Sequence, residues 1–260
     1  MTAQKTVVVT GASSGIGASL ARLLASQGHQ VVLAARRETE LAKVAQDCAG
    51  KALVVVADLT RRADAEKVAR AAIEKFGGFD VWVNNAGRGI SRMPSQLTDA
   101  DLDDMMSVNV KSALYGMQAA LPHFQARGAG HLINVSSMLG RIPFAPIRSA
   151  YSGAKHFLNA LTACMRQELA TSHPGIQVSL VSPGVVATDF GLNALHGGMD
   201  SRSLPNAQNV DEVAQVIART IETRRADVYT QPGAAKTVAG YFAEEDLAVA
   251  EARLRMNDRK

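Results

Sequence analysis

Short runs of apolar residues alternate with longer segments of helical periodicity along the chain. The runs are rich in β-branched residues and apolar at almost every position, which is typical of strands buried on both faces of a sheet. They lie at 6–9, 30–35, 52–57, 79–83, 131–135 and 176–181. A weaker run at 226–230 predicts a seventh strand at one edge.

The segments between these runs carry apolar residues three or four positions apart, as expected for helices that pack one face against a sheet. The spacing predicts helices over 16–27, 61–76 and 151–171, two helices in series over 99–125, and a charged helical tail from 243. We therefore predict the α/β class, as a Rossmann-type doubly wound parallel sheet of about seven strands flanked by helices on both faces. Ligands in such sheets bind beyond the carboxyl ends of the strands.

Composition limits the class of protein. The chain has 260 residues, of which 47% are apolar and 20% charged, enough for a buried core without disulfides or metal. The net charge of +4 is scattered, so we expect no nucleic-acid partner. Because no signal-like stretch opens the chain and no apolar run reaches about 18 residues, we expect a cytoplasmic protein outside the membrane. Cys48 and Cys164 are expected to be reduced and buried.

A glycine-rich turn over 10–17 joins the first strand to the first helix. Its glycines permit a close approach of backbone N–H groups to a pyrophosphate, and the helix N-terminus adds free donors and the positive end of a dipole. The spacing G-x-x-x-G-x-G differs from the standard motif, so its support comes from the position between strand and helix. The candidate contacts are Gly11, Ser13, Ser14, Gly15, Ile16 and Gly17.

Two other interpretations of this turn remain open. It is compatible with a plain strand–helix connection. Gly11, Ser13 and Gly15 also match the G-x-S-x-G nucleophile elbow of a serine hydrolase. The elbow is disfavoured because no strand–helix loop precedes it to supply the second oxyanion donor.

The end of the second predicted strand indicates which dinucleotide binds. NAD sites place a carboxylate here for the ribose hydroxyls, whereas an arginine accommodates a 2′-phosphate. This chain has Arg36 and Arg37, and no acid before Glu38. Since guanidinium pairs with phosphate and a carboxylate repels it, NADP(H) is favoured over NAD(H). In the alternative interpretation, both arginines are solvated surface charge.

A phenol and an ammonium lie one helical turn apart on the same face, at Tyr151 and Lys155. This pair alone is a weak motif. Support comes from the polar segments 84–87 and 134–137, which follow two of the predicted strands. Because the carboxyl ends of parallel strands meet at one edge of the sheet, we expect all these groups in one site.

Together these motifs resemble those of the short-chain dehydrogenase/reductase family. The resemblance extends to about Thr188 and includes the glycine turn, Asp58-Leu59, 84–87, Asn109, Ser137, Tyr151 with Lys155, and 183–188. Beyond the glycine turn and the two arginines, it implies dinucleotide contacts by Asp58, Leu59, Asn85, Ala86, Gly87, Tyr151, Lys155, Pro183, Gly184, Val186 and Thr188.

The resemblance also implies four catalytic residues, Asn109, Ser137, Tyr151 and Lys155. Tyr151 would exchange a proton with the substrate oxygen, and Lys155 together with an oxidised nicotinamide would lower the pKa of its phenol. Ser137 would orient that oxygen, and Asn109 would hold a water beside Lys155. The interval from Ser137 to Tyr151 is one residue longer than usual in the family, and we place the extra residue in 141–149.

We therefore expect an NADP(H)-dependent oxidoreductase that interconverts a carbonyl and an alcohol by hydride transfer, built as one dinucleotide-binding catalytic domain over 1–260. The family further implies a small-molecule substrate and a homo-oligomer, either a tetramer or a dimer. The alternative is a non-catalytic dinucleotide-binding regulator on the same fold. No metal is expected, because the six histidines show no ligand spacing.

Three irregular segments are expected to form the substrate pocket: 88–94, 138–149 and a mobile flap over 189–209. Four arginines flank these segments, namely Arg88, Arg92, Arg141 and Arg148. They would favour an anionic or polar substrate, although solvated loop arginines are the default. Apolar residues within 142–146 favour a hydrophobic carbonyl compound instead.

Overall fold

Seven parallel strands form one sheet at the centre of the structure, a computed structural model that describes residues 3–257. They are β1 (Thr6–Thr10), β2 (Gln30–Ala35), β3 (Ala52–Val56), β4 (Val81–Asn84), β5 (Gly130–Val135), β6 (Ile176–Ser182) and β7 (Asp227–Tyr229). The spatial order is β3-β2-β1-β4-β5-β6-β7. This confirms the predicted doubly wound sheet, whose topological switch point lies between β1 and β4.

Helices cover both faces of the sheet. They are α1 (Gly15–Ser26), α2 (Glu38–Asp47), α3 (Arg62–Phe76), α4 (Asp99–Met106), α5 (Ser112–Arg127), α6 (Ser149–Ser172), α7 (Val210–Thr223), α8 (Ala234–Phe242) and α9 (Leu247–Asn257). The predicted pair over 99–125 is confirmed as α4 and α5, joined by a π-helical turn at Ser107–Lys111. The helices α2, α7 and α8 were not predicted, although Val213, Ile217 and Ile221 recur at helical spacing in α7. Within residues 3–257, no helix is long and apolar enough to cross a membrane.

Two apolar layers lie on opposite faces of the sheet, because successive strand side chains point to opposite sides. Val7 and Val9 of β1 pack in the layer that contains α1 and α7, whereas Val8 packs in the layer that contains α3 and α5. All of β1 is buried, as its apolar centre, Val7–Val9, predicts. Packing on both faces therefore holds the strand ends in place for the loops that follow them.

Buried polar side chains connect the sheet to α6 just below those loops. Asn84 Nδ2 donates to Asn134 Oδ1 at 2.8 Å, and Asn134 Nδ2 donates to Thr162 Oγ1 at 2.8 Å. Trp82 Nε1 donates to Asn84 Oδ1 at 2.8 Å. A Cβ at Gly116 would overlap Asn84 Oδ1, so glycine lets α5 approach. We call Trp82, Asn84, Asn134 and Thr162 the amide ladder; it joins β4, β5 and α6.

The two cysteines lie in different environments. Cys48 is buried, as expected, but Cys164 on α6 is exposed. The buried face of α6 carries Thr162, Met165 and Leu169, and Cys164 lies outside that face. The prediction of two buried cysteines was therefore wrong for Cys164, whose apolar neighbours in the sequence point in other directions around the helix.

His131 on β5 makes the stability of the fold depend on pH. Its side chain is buried, its Nε2 lies 2.8 Å from Ser179 Oγ, and burial lowers its pKa from 6.5 to about 4. Between these values the unfolded chain binds more protons than the folded protein, so stability falls as the pH falls. At 1.36 kcal/mol per pKa unit, we expect protonation of His131 to lower the unfolding free energy by about 2 kcal/mol when the pH falls from 7 to 5.

Urea unfolding of the wild type and His131→Gln at the two pH values measures this contribution. The substitution should make the pH dependence shallower by that amount. Equal pH dependence in the two proteins would show that protonation of His131 does not oppose folding.

Candidate active site

A cavity of about 580 Å³ lies at the carboxyl ends of the strands, a size typical of small-molecule sites. The turn after β1, the segments after β2 to β6 and the start of α6 form its wall. The predicted site residues that line it are Gly11, Ser13, Ser14, Gly15, Ile16, Arg36, Arg37, Asp58, Leu59, Asn85, Ala86, Gly87, Ser137, Tyr151, Lys155, Pro183, Gly184, Val186 and Thr188.

Gly17 and Asn109 are the predicted site residues that do not line the cavity. Gly17 packs against the glycine turn, because a Cβ there would lie 2.5 Å from the carbonyl oxygen of Gly11. Asn109 is fully buried in the π-helical turn, where its Nδ2 donates to the Arg88 carbonyl at 3.0 Å and its Oδ1 accepts from the Arg88 N–H at 3.2 Å. Both residues therefore support the wall from behind.

The turn after β1 lines the cavity beside the N-terminus of α1. Gly11 and Gly15 adopt positive φ values of 66° and 53°, which glycine adopts without strain. A Cβ at Gly11 would lie 2.9 Å from Ala86 Cα, so the turn packs closely on the segment after β4. Ser14 immediately precedes α1, and its side chain makes no capping hydrogen bond. The first turn of α1 holds no acidic residue. The N-terminus of α1 is thus suited to an anion.

Arg37 lies beside the same turn. Its Nη2 donates to Ser13 Oγ at 2.9 Å and to Ser14 Oγ at 2.7 Å, and its Nε donates to Ser13 Oγ at 3.2 Å. The strand β2 ends in Ala35, so no carboxylate occupies this position. The guanidinium therefore adds positive charge to the part of the cavity next to the glycine turn.

Tyr151 and Lys155 lie one turn apart near the start of α6, and both are buried. Lys155 Nζ donates to the Val135 carbonyl at 3.0 Å and lies 5.7 Å from the centre of the Tyr151 ring. The Ser137 hydroxyl lies near the phenol and favours its ionised form. Ser136 Oγ instead donates to Asn159 Oδ1 at 2.5 Å, so Ser137 is the serine that faces Tyr151.

Burial dominates the protonation of this pair. It raises the pKa of Tyr151 to about 12, against the opposing effects of the Ser137 hydroxyl and the Arg148 charge. It also lowers the pKa of Lys155 from 10.5 to about 8. Without a cofactor, desolvation outweighs the opposing effects on Tyr151, and the lowering expected from Lys155 together with an oxidised nicotinamide stays a prediction. At neutral pH the phenol is therefore protonated.

Part of the segment 189–209 lies over this pair. The Phe190 ring packs against the Tyr151 ring with the centroids 5.5 Å apart. A parallel bridge pairs Leu195 with Ile90, and His196 Nε2 lies 2.7 Å from the buried carboxylate of Asp101. These contacts attach the segment to the loop after β4 and to α4.

Comparison with known proteins identifies the family. A sequence profile described as short chain dehydrogenase matches residues 5–196. The chain belongs to the short-chain dehydrogenase family. This confirms the resemblance inferred from the motifs.

Relatives match most of this short-chain dehydrogenase. A protein of Staphylococcus epidermidis, named as an uncharacterized oxidoreductase, is 38% identical over 197 residues, which cover 72% of this chain and 83% of that protein. A short chain dehydrogenase/reductase from Burkholderia phymatum, solved in complex with NAD, has a TM-score of 0.83 at 25% identity and covers 91% of this chain and 92% of its own. A short-chain dehydrogenase from Sphingobium yanoikuyae, solved in complex with NADPH, has a TM-score of 0.79 at 28% identity. The match covers 92% of this chain and 93% of that protein.

The surroundings of Ser13 disfavour the nucleophile elbow in this short-chain dehydrogenase. Its hydroxyl accepts from the guanidinium of Arg37, which cannot act as a base. No histidine lines the cavity in the part of the chain that the structure describes. A serine nucleophile would need such a base within hydrogen-bond reach.

Several lining residues of this short-chain dehydrogenase were not predicted individually. They come from the three segments assigned to the substrate pocket and include Leu139, Phe190, Asn193, Ser201 and Leu204. These segments have little regular structure, so no periodicity shows which side chains face inward. Only their positions after the strands marked them as part of the site.

Proposed function

We propose that this short-chain dehydrogenase is an NADP(H)-dependent oxidoreductase that interconverts a carbonyl and an alcohol. The observation that carries the proposal is the buried pair Tyr151 and Lys155 in the same cavity as a glycine turn suited to a pyrophosphate. A proton donor and a dinucleotide site are the two requirements of carbonyl reduction by a nicotinamide cofactor.

The lining residues fit a nicotinamide dinucleotide, and solved relatives carry NAD or NADPH. The glycine turn and the N-terminus of α1 would hold the pyrophosphate. Asp58 and Leu59 would border the adenine, 85–87 would form a wall, and Val186 with Thr188 would hold the carboxamide. The bound cofactor supplies or accepts the hydride.

Tyr151 is the proposed general acid for reduction. Because its phenol is protonated at neutral pH, it can donate a proton to a carbonyl oxygen. The Ser137 hydroxyl would orient the same oxygen, and Lys155 would hold the nicotinamide ribose. Asn109 would support the wall through its bonds to the backbone of Arg88 and hold a water beside Lys155.

The preference for NADP(H) rests on Arg36 and Arg37. Both line the cavity, and Arg37 contacts the serines of the glycine turn, where its guanidinium would pair with a 2′-phosphate on the adenosine ribose. A charged hydrogen bond of this kind is worth about 1.5–3 kcal/mol, or roughly 10- to 100-fold in affinity.

Fluorescence titration with NADPH and NADH tests this preference. We expect the wild type to favour NADPH by tenfold or more, in line with the roughly 10- to 100-fold value of one charged contact, and Arg37→Ala to lose most of it. Arg22→Ala is the matched control, since Arg22 is exposed and pairs with Asp47 on the outside of α2. Equal weakening of NADPH and NADH in Arg37→Ala would mean that Arg37 supports the turn and does not read the 2′-phosphate.

Turnover distinguishes the enzyme from the regulator. We expect oxidation of NADPH, followed by its absorbance, in the presence of at least one member of a panel of aldehydes and ketones. Tight binding of NADPH without turnover of any member would favour the non-catalytic regulator.

The organisation of the whole protein stays a prediction in four respects. These are a single catalytic domain, mobility of the segment 189–209, a cytoplasmic location and a homo-oligomer. Leu102 on α4 and Phe157 on α6 support the homo-oligomer, because these apolar side chains are 46% and 52% exposed.

A further inference from the structure

The four arginines near the substrate pocket differ in their partners. Arg88 pairs with Asp104, Arg92 lies 2.9 Å from Asp101, and Arg141 pairs with Asp227. Arg148 forms no ion pair within residues 3–257. Its charge is therefore the one in this group that no carboxylate of the described chain neutralises.

Arg148 also lies where a substrate would bind. It immediately precedes α6, three residues before Tyr151, and it lines the cavity. Its Nη1 donates to the Ile90 carbonyl at 2.9 Å, and its remaining N–H groups have no hydrogen-bond acceptor in the described chain. A guanidinium has five N–H donors, so most of the fork remains available.

The surroundings of Arg148 increase the need for an anion. A Cβ on Gly89 would lie 2.9 Å from Nη1, and a Cβ on Gly198 would lie 3.0 Å from Nη2, so backbone from two loops closes around the guanidinium. Burial lowers the pKa of Arg148 accordingly. A partly desolvated charge without a counter-ion is unfavourable, and an oxyanion in the cavity would relieve that cost.

We infer that Arg148 binds an oxyanion of the substrate, so that the preferred substrates are carbonyl compounds that also carry a carboxylate or a phosphate group. This inference rests on the proposed function. The fork geometry of guanidinium matches both groups. Apolar walls at Leu139, Phe190 and Leu204 suit the carbon skeleton between the two ends.

The positions of the two ends limit the size of the substrate. The carbonyl oxygen would lie at Tyr151 and Ser137, and the oxyanion at Arg148. The distance between the phenol and the guanidinium sets the length of the carbon skeleton, so the experiment varies that length.

Matched pairs of substrates test the inference in the enzyme with NADPH. The probes are straight-chain oxo acids of increasing length with their methyl esters, and dihydroxyacetone phosphate with dihydroxyacetone. Each pair is assayed for kcat/KM with the wild type, Arg148→Gln and Arg148→Lys. Gln keeps a donor for the Ile90 carbonyl, and Lys keeps the charge without the fork. Arg225→Gln, an exposed arginine beyond α7, is the control substitution.

We expect the wild type to prefer the charged member of at least one pair by about 10- to 100-fold. Arg148→Gln should abolish that preference without weakening the binding of NADPH, and Arg148→Lys should keep part of the preference. A preference for the oxo acids over their esters would indicate a carboxylate, and a preference for dihydroxyacetone phosphate over dihydroxyacetone would indicate a phosphate. The inference is overturned if the wild type shows no preference for the charged member of any pair. It is also overturned if Arg148→Gln lowers kcat/KM equally for both members of a pair and shifts the pH profile, since Arg148 would then act on Tyr151.

Binding separates failure of the inference from failure of the proposed function. If neutral and charged probes are all inert while other aldehydes and ketones are also not reduced, the proposed reductase is wrong. Calorimetric titration of the acids and the phosphate into the protein with NADP⁺ then decides about Arg148. Binding that is lost in Arg148→Gln supports the oxyanion site, and absence of binding to the wild type excludes it.

Discussion

Replacement of Tyr151 by phenylalanine should lower kcat for carbonyl reduction by about 10²–10⁴-fold, the usual contribution of a general acid. The phenol is the proposed proton donor and is buried, and phenylalanine keeps the ring that packs against Phe190. The change therefore removes the proton and little else. Steady-state assay of the oxidation of NADPH measures the loss.

The matched control for this experiment is the affinity for NADPH, which should not change in Tyr151→Phe. The wild-type rate of reduction should also stay level across neutral pH, because burial raises the pKa of the phenol to about 12. If the variant kept most of its turnover with the same pH dependence, another group would have to donate the proton.

Lys155→Met should abolish most activity and stabilise the fold. Lys155 is buried and its pKa is lowered from 10.5 to about 8. Below pH 8 both the folded and the unfolded chain are protonated, and the folded state bears the cost of burying the charge. At 1.36 kcal/mol per pKa unit this cost is about 3 kcal/mol. Methionine removes the charge and keeps similar bulk, at the loss of one hydrogen bond to Val135.

Urea unfolding at several pH values measures the effect of Lys155→Met. Between pH 8 and 10.5 the folded wild type releases its proton first, so wild-type stability rises and the advantage of the variant shrinks. We expect a gain of about 1–3 kcal/mol at pH 7, after allowance for the lost hydrogen bond. A variant less stable than the wild type at pH 7 would show that the ammonium is well solvated or paired when folded.

The fold could be predicted from the sequence because its strands are buried on both faces. The runs that became β1, β2 and β5 are mostly apolar and buried at almost every position, and few other structures require such runs between helices. The edge strand β7 gave a weaker signal because it is only partly buried. Helices such as α2, with a mostly polar sequence, were missed for the same reason.

The candidate site was predictable where short motifs determine it. The glycine turn and the pair Tyr151 and Lys155 are local patterns, and the structure places them in one cavity. Properties that depend on tertiary surroundings were not predictable. The pKa of Tyr151 follows from burial by segments distant in sequence. That no carboxylate among residues 3–257 pairs with Arg148 is evident only once the partners of Arg88, Arg92 and Arg141 are known.

The amide ladder has a consequence for how this protein can evolve. If β4, β5 or α6 shifted by one residue, the buried amide and hydroxyl groups of the ladder would lose their hydrogen-bond partners. Unpaired buried polar groups destabilise the fold, so such a shift is unfavourable. Asn85 and Ser137 come just after β4 and β5, and Tyr151 lies on α6. Mutations in the loops over the cavity can therefore exchange one substrate for another while the reacting groups keep their spacing. New specificities can thus arise without first rebuilding the chemistry.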